Sequence, residues 1–161
     1  MKTFTEIDSP IGTLLLVAED GALARVGFPG ASPDPTWRRD DASLAQARAE
    51  LEAYFAGQLT AFAVALAPNG TPFETRVWKE LCEIPYGQTI TYTQLARAVG
   101  VPHGARAVGQ ANGRNPIPII IPCHRVIAAG GKLGGYGGGL PVKRRLLELE
   151  LGRQPLTLGL A

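Results

Sequence analysis

In the run Pro122-Cys123-His124-Arg125-Val126 a thiol stands beside an imidazole and a guanidinium, so a nucleophile, a base and a positive charge meet in five residues. A free cysteine titrates near ~8.5, so at neutral pH it needs a neighbouring base or positive field to hold the reactive thiolate. His124 and Arg125 can supply both. The apolar residues Ile119-Ile120-Ile121 just before predict a strand that delivers the thiol. Neighbours on a regular strand point to opposite faces, so either Pro122 bends the strand end or a water bridges Cys123 to His124. Adjacency in sequence does not establish pairing in space, and a buried structural cysteine is the alternative reading of Cys123. The second cysteine, Cys82, falls with Val77, Trp78 and Leu81 on the apolar face of a predicted helix and reads as core. Two cysteines allow one disulfide at most, and a reducing compartment would keep both as thiols.

The elements that must position this run fall into two parts. Residues 1–70 open with three short strands at Thr3–Ile7, Thr13–Ala18 and Ala22–Phe28, separated by turns at Ser9–Gly12 and Glu19–Gly21. Pro29 to Pro35 is a loop by composition. Ser43 is expected to cap a helix through Phe55 that Gly57 ends. A short strand over 63–66 and a linker over 67–71 follow. Residues 71–161 change to short helices. Thr71, Pro72 and Glu74 have the pattern of a capping box with proline in the first turn. Residues 91–100 and 104–112 read as helix, turn, helix, with Gly100 and Pro102 making the stop. A charged helix over 141–151 places Leu146, Leu147 and Leu151 at core spacing.

Charge separates the same two parts. Residues 1–71 hold five basic and nine acidic side chains, a net −4, whereas 72–161 hold eleven basic and five acidic, a net +6. A basic second part suits contact with a polyanion. No run of eighteen apolar residues and no apolar leader after Met1 are present, so neither a membrane span nor a secretory signal is expected, and the chain is expected in the cytoplasm. Residues 1–81 contain neither Cys nor His, and His103 and His124 are the only histidines, so no metal is expected. Gly130-Gly131 and the Gly134–Gly139 stretch lack both a Gly-Lys-Ser/Thr ending and the dinucleotide-binding spacing, and no organic cofactor is expected.

Four blocks occur in order at tight spacing: Ala105-Arg106-Ala107-Val108-Gly109, Asn112-Gly113-Arg114-Asn115-Pro116, Pro122 to Val126, and Gly134-Gly135-Tyr136-Gly137-Gly138-Gly139-Leu140. Together they closely resemble the O6-alkylguanine-DNA alkyltransferases, densely from about Thr71 to Glu150 and more weakly before. The resemblance implies an α+β fold: a ribonuclease H-like β-meander plus helix over 1–70, then a mostly helical, winged helix-turn-helix-like domain over 71–161. It implies that the protein, monomeric when free, binds double-stranded DNA containing O6-alkylguanine. The base is flipped out and its alkyl group moves irreversibly to Cys123, once per molecule, because a thioether offers water no reasonable leaving group.

The implied roles follow residue by residue. Cys123 is the acceptor, His124 the base that reaches it through water, Glu150 the carboxylate that orients the imidazole, and Asn115 the brace of the nearby turn. The Tyr92 hydroxyl meets the base at N3. Tyr136, Gly137 and Val126 border the base pocket, with the Gly137 amide toward O6, where some relatives carry serine. Arg106 fills the space left by the extruded nucleotide, from a helix that also presents Ala105 and Gly109 to DNA. Arg114 has no inherited role and is assigned to phosphate contact on its charge. Two other classes compete: a damage-sensing binder, whose relatives replace the acceptor cysteine, and a cysteine hydrolase, for which no oxyanion motif is evident.

Overall fold

The computed structural model describes residues 1–152, which form two units. The first comprises Met1–Asn69 together with Pro116–Pro118, and the second comprises Gly70–Asn115 and the chain from Ile119 onward. The last nine residues of the second expected domain, 153–161, lie outside the described residues.

In the first unit, β1 (Lys2–Ile7) pairs antiparallel with β2 (Leu14–Glu19), and β2 pairs antiparallel with β3 (Ala22–Gly27). A two-residue β4 (Arg38–Arg39), which the sequence pattern does not announce, lies parallel to β1 and completes the order β3-β2-β1-β4. Leu14 to Ala18 of the central β2 are all buried, so that strand is an unbroken apolar run rather than an alternation. Helix α1 (Ala45–Phe55) buries Ala47, Leu51 and Tyr54 at helical spacing. Ser43 does not cap it. The Ser43 hydroxyl donates to the Asp40 carbonyl, and the helix starts from Leu44 with no side-chain cap. The strand expected over 63–66 reduces to a single parallel bridge between Leu66 and Leu23.

In the second unit, α2 (Pro72–Leu81) starts as its sequence requires: the Glu74 amide donates to Thr71 Oγ1 at 3.1 Å and the Thr71 amide to Glu74 Oε1 at 2.9 Å. Val77, Trp78 and Leu81 are buried, and Trp78 Nε1 donates to the Ala111 carbonyl at 2.8 Å. Cys82, the C-cap residue of α2, is exposed although its backbone is still helical, so the buried face of the helix stops at Leu81. The two-residue β5 (Ile90–Thr91) leads into α3 (Tyr92–Ala98), whose own capping box joins Thr91 and Gln94. Gly100, at φ 84°, occupies the left-handed region that ends α3, and α4 (Ala105–Gly113) follows. β6 (Val126–Ile127) runs parallel to β5, and α5 (Leu140–Glu150) packs Leu147 with Ile127 and Leu133. No helix of the described residues is long and apolar enough to cross a membrane.

The expected strand over 119–121 is absent. Ile119 sits at φ 75°, a strained position for a β-branched side chain, and the chain then closes a 3-10 turn over Cys123–Arg125. The Cys123 amide donates to the Ile121 carbonyl at 2.7 Å and the Arg125 amide to the Pro122 carbonyl at 3.0 Å. A turn, not a strand, therefore delivers the thiol.

Candidate active site

Three consecutive side chains of that turn are buried: Cys123 at 5% exposure, His124 at 0% and Arg125 at 6%. Isolated charges so placed would be untenable, so partners must exist. Glu150, in the last turn of α5, supplies them. Its Oε2 is 2.6 Å from His124 Nε2, while Arg125 Nε donates to Oε1 at 2.7 Å and Arg125 Nη2 to Oε2 at 3.1 Å. Arg125 Nη1 also reaches the Ile84 carbonyl at 2.7 Å. Arg125 is thus a structural clamp on the carboxylate, a role that adjacency to Cys123 alone does not reveal.

These contacts settle the protonation states. Burial would raise the Glu150 pKa, but the hydrogen bond and charge of His124, then those of Arg125, outweigh it and hold the carboxyl near about 2. Glu150 is an anion at neutral pH and can only accept. His124 Nε2 therefore carries the hydrogen, which leaves Nδ1 as the basic lone pair. Nδ1 is buried and meets no protein partner. Burial lowers the His124 pKa, against the pull of Glu150, so the ring rests neutral and ready to take a proton.

Burial pushes the Cys123 thiol up. Hydrogen bonds from Asn115 and Tyr136, then the charge of Lys143, pull the other way without overcoming it. The resting group is the thiol, and a base is needed to make the thiolate. Asn115 also donates from Nδ2 to the Ile121 carbonyl at 2.8 Å, so it holds the approach to the turn as well as the sulfur. Two further residues escaped the sequence reading. Asn112, buried on α4, donates to the Cys123 carbonyl at 3.4 Å, and Lys143 of α5 is fully buried near the sulfur. Lys143 carried one usable signal: it shares the inward face of its helix with Leu146, Leu147 and Glu150.

Tyr92 is the first residue of α3 and is half-buried, and burial followed by the nearby Cys123 charge raises its hydroxyl pKa. Gly109 packs against the Tyr92 ring, and so does Gly134 of the glycine-rich loop, where an added Cβ would lie 3.1 Å from a ring carbon. Tyr136 is half-buried and Gly137 exposed, whereas Val126 is entirely buried and offers its carbonyl to Lys143. Arg106 projects from the first turn of α4 as an exposed side chain, with Ala105 beside it half-buried. Arg114, just after α4, is exposed and pairs with Glu74 at 3.4 Å. The turn, the loop, α3 and α5 thus converge on Cys123, while Arg106 and Arg114 lie apart from it on the surface. A buried thiol with an anion-oriented imidazole and a hydroxyl nearby can attack a carbon centre and return a proton to the group that leaves.

Known proteins match the chain along both units. Residues 72–152 match the DNA binding domain of 6-O-methylguanine DNA methyltransferase and residues 3–68 its ribonuclease-like domain. The methylated-DNA–protein-cysteine methyltransferase of Mycobacterium tuberculosis is 50% identical over 163 residues, covering 99% of each chain. That of Methanosarcina acetivorans is 50% identical over 148 residues, 89% of this chain and 94% of its own. The crystal structure of Mycobacterium tuberculosis OGT in complex with DNA superposes with a TM-score of 0.89 at 50% identity, over 95% of each chain.

Proposed function

This chain belongs to the 6-O-methylguanine DNA methyltransferase family, and on that premise we propose that it repairs O6-alkylguanine in double-stranded DNA by moving the alkyl group to Cys123. The observation that carries this reading is the chain of contacts from Arg125 through Glu150 to His124 beside a buried thiol. A carboxylate locked on one imidazole nitrogen leaves the other to take the thiol proton through a water, and the resulting imidazolium is stabilised by Glu150. The thiolate attacks the carbon on O6; the S–C bond forms as the C–O6 bond breaks, and the electron pair stays on the guanine. The base takes up a proton as it leaves, with the Tyr92 hydroxyl placed to help. What remains is a thioether, so each molecule acts once.

An O6-alkyl group is hidden in the base stack, and a buried thiol is reached only by an extruded nucleotide. Arg106, exposed at the start of α4, is the side chain we assign to the vacated space, with Ala105 and Gly109 allowing close approach and Arg114 meeting phosphate. Tyr136, Gly137 and Val126 belong to the pocket that receives the base. Residues 71–161 form the DNA-binding and acceptor domain and residues 1–70 an α/β subdomain, in a cytoplasmic protein that is monomeric when free.

Intact mass after exposure to O6-methylguanine DNA tests the reading. One methyl group per chain, on the Cys123 peptide, is the expected result; an adduct on Cys82, or none, overturns it. Arg106→Ala should slow transfer from methylated duplex far more than transfer from free O6-benzylguanine, which has nothing to flip. Equal losses on both would remove Arg106 from base extrusion.

A further inference from the structure

We propose that Asn112 is a positioning residue for this transfer: its Oδ1 anchors, together with His124 Nδ1, the water that carries the Cys123 proton. The inference rests on the reading of Cys123 as an alkyl acceptor deprotonated through a water. Asparagine is an unfavourable choice for this position. Asn112 lies in the last turn of α4 beside Val108 and Ala111, at 5% exposure. It is a weak helix former, and a buried polar group left unpaired bears its full desolvation. Its Nδ2 has a partner, the Cys123 carbonyl at 3.4 Å, whereas among the described residues Oδ1 has none. Turning the amide over would set two oxygens against each other, so the donor end belongs on the carbonyl and the acceptor end away from it.

The two ends of an amide are only about 2.3 Å apart, so Oδ1 stands close to the peptide that joins Cys123 to His124. Gly109, one turn earlier on the same side of α4, packs against the Tyr92 ring, so this face of the helix looks into the site. His124 Nδ1 is likewise buried without a protein partner, and with Nε2 turned to Glu150 it too can only accept. Two fixed acceptors at one turn suit a donor with two hydrogens, and a water is such a donor with lone pairs left for the S–H. The proton then balances. At rest the water donates one hydrogen to Nδ1 and one to Oδ1 and accepts the thiol hydrogen. It passes the first to Nδ1 and takes the thiol's, which leaves a thiolate, an intact water and an imidazolium held by Glu150. The hydrogen on Oδ1 stays where it is throughout. Asn112 therefore fixes the water's orientation before and after the step and takes no proton itself. The other charged and titratable groups around the relay are Arg125 and Glu150 behind the imidazole, Lys143 on α5, Tyr92 on α3 and Tyr136 on the glycine-rich loop.

A crystal structure of the full, unalkylated chain at a resolution that orders solvent tests the anchor directly. One water within about 3.2 Å of both Asn112 Oδ1 and His124 Nδ1 is expected. A water on Nδ1 that Asn112 does not touch, or none on Oδ1, overturns the proposal. Kinetics test the use of the anchor. Asn112→Leu keeps the branched shape and removes both polar ends, so single-turnover methyl transfer near neutrality should fall about tenfold, a share of what positioned proton transfer contributes, with affinity for unmodified duplex unchanged. The deficit should shrink as pH climbs past about 9, where solvent ionises the thiol without the relay. A displaced turn would instead slow transfer equally at every pH, and that result would remove Asn112 from the relay. If the Leu variant does not melt cooperatively, the crystal structure decides. A wild type that never accepts methyl sinks the acceptor reading whatever holds the water, whereas wild-type rates in Asn112→Leu sink only the role of Asn112.

Discussion

The two units handle polar groups in opposite ways. In the first, Thr5 is the one buried polar side chain among the described residues, and its partners Asp41 and Arg48 reach it from the surface. The second buries Asn112, His124, Arg125, Lys143 and Glu150, all within the surroundings of Cys123. Burying a paired charge is at best neutral for stability against an apolar core of the same volume. The first unit is therefore arranged for folding, and the second departs from that arrangement where chemistry needs it.

Replacing Glu150 by Ala should break this contrast most severely. It leaves His124 and Arg125 buried without their anion, at a cost of about 3–5 kcal/mol in urea unfolding, together with loss of methyl transfer. The same carboxylate predicts an acid dependence. Its folded pKa, near about 2, lies below the ordinary value of 4.5, so its stabilisation is complete above 4.5 and is lost as pH falls from there toward 2. Glu150→Gln should flatten that acid limb, and an unchanged limb would locate the acid sensitivity elsewhere. Next in size is Leu16→Ala, a fully buried position of β2, at about 2–5 kcal/mol with methyl transfer per folded molecule unaffected. A proportionate loss of transfer would mean that the units are not separable in this sense. Thr91→Ala, which removes the cap of α3, should cost about 1 kcal/mol. The smallest effect belongs to Asp41→Asn: its ion pairs with Arg39 and Arg48 are exposed, the amide oxygen still accepts from the Thr5 hydroxyl, and its melting temperature should be indistinguishable from wild type.

Legibility in the sequence followed the same division. The three strands of the meander and the capping box at Thr71 are local patterns, and the structure has them where the apolar runs between turns and the Thr71/Pro72/Glu74 spacing put them. Ile119-Ile120-Ile121 misled because β-branched residues favour strands on average, whereas here Ile119 sits at positive φ and all three are buried ahead of a turn. Ser43 misled by one residue: α1 begins at Ala45 with Leu44 at the N-cap position, so the Ser43 hydroxyl stands outside it. Cys82 misled by one residue, since periodicity cannot tell the last helical position from the first one beyond it. At the candidate site the thiol and the imidazole are legible in their own run of residues and the carboxylate through the resemblance, and the structure brings His124 and Glu150 into contact. Arg125 as a clamp and the buried Lys143 were not legible, because basic side chains are read as surface; only for Lys143, on α5, does helical phase point inward. Asn112 was missed because its acceptor is a backbone carbonyl, which sequence does not distinguish.

Pro116–Pro118 belongs to the first unit although the chain reaches it only after α4, and the Val26 amide of β3 donates to the Pro116 carbonyl at 2.9 Å. As the polypeptide leaves the ribosome, the meander and α1 emerge early, yet the edge of β3 waits for a segment translated much later. The amino-terminal unit is consequently assembled around a piece of its successor. A fragment ending at Asn69 would lack that piece, and completion of the first unit is coupled in time to synthesis of the helices that precede the acceptor turn.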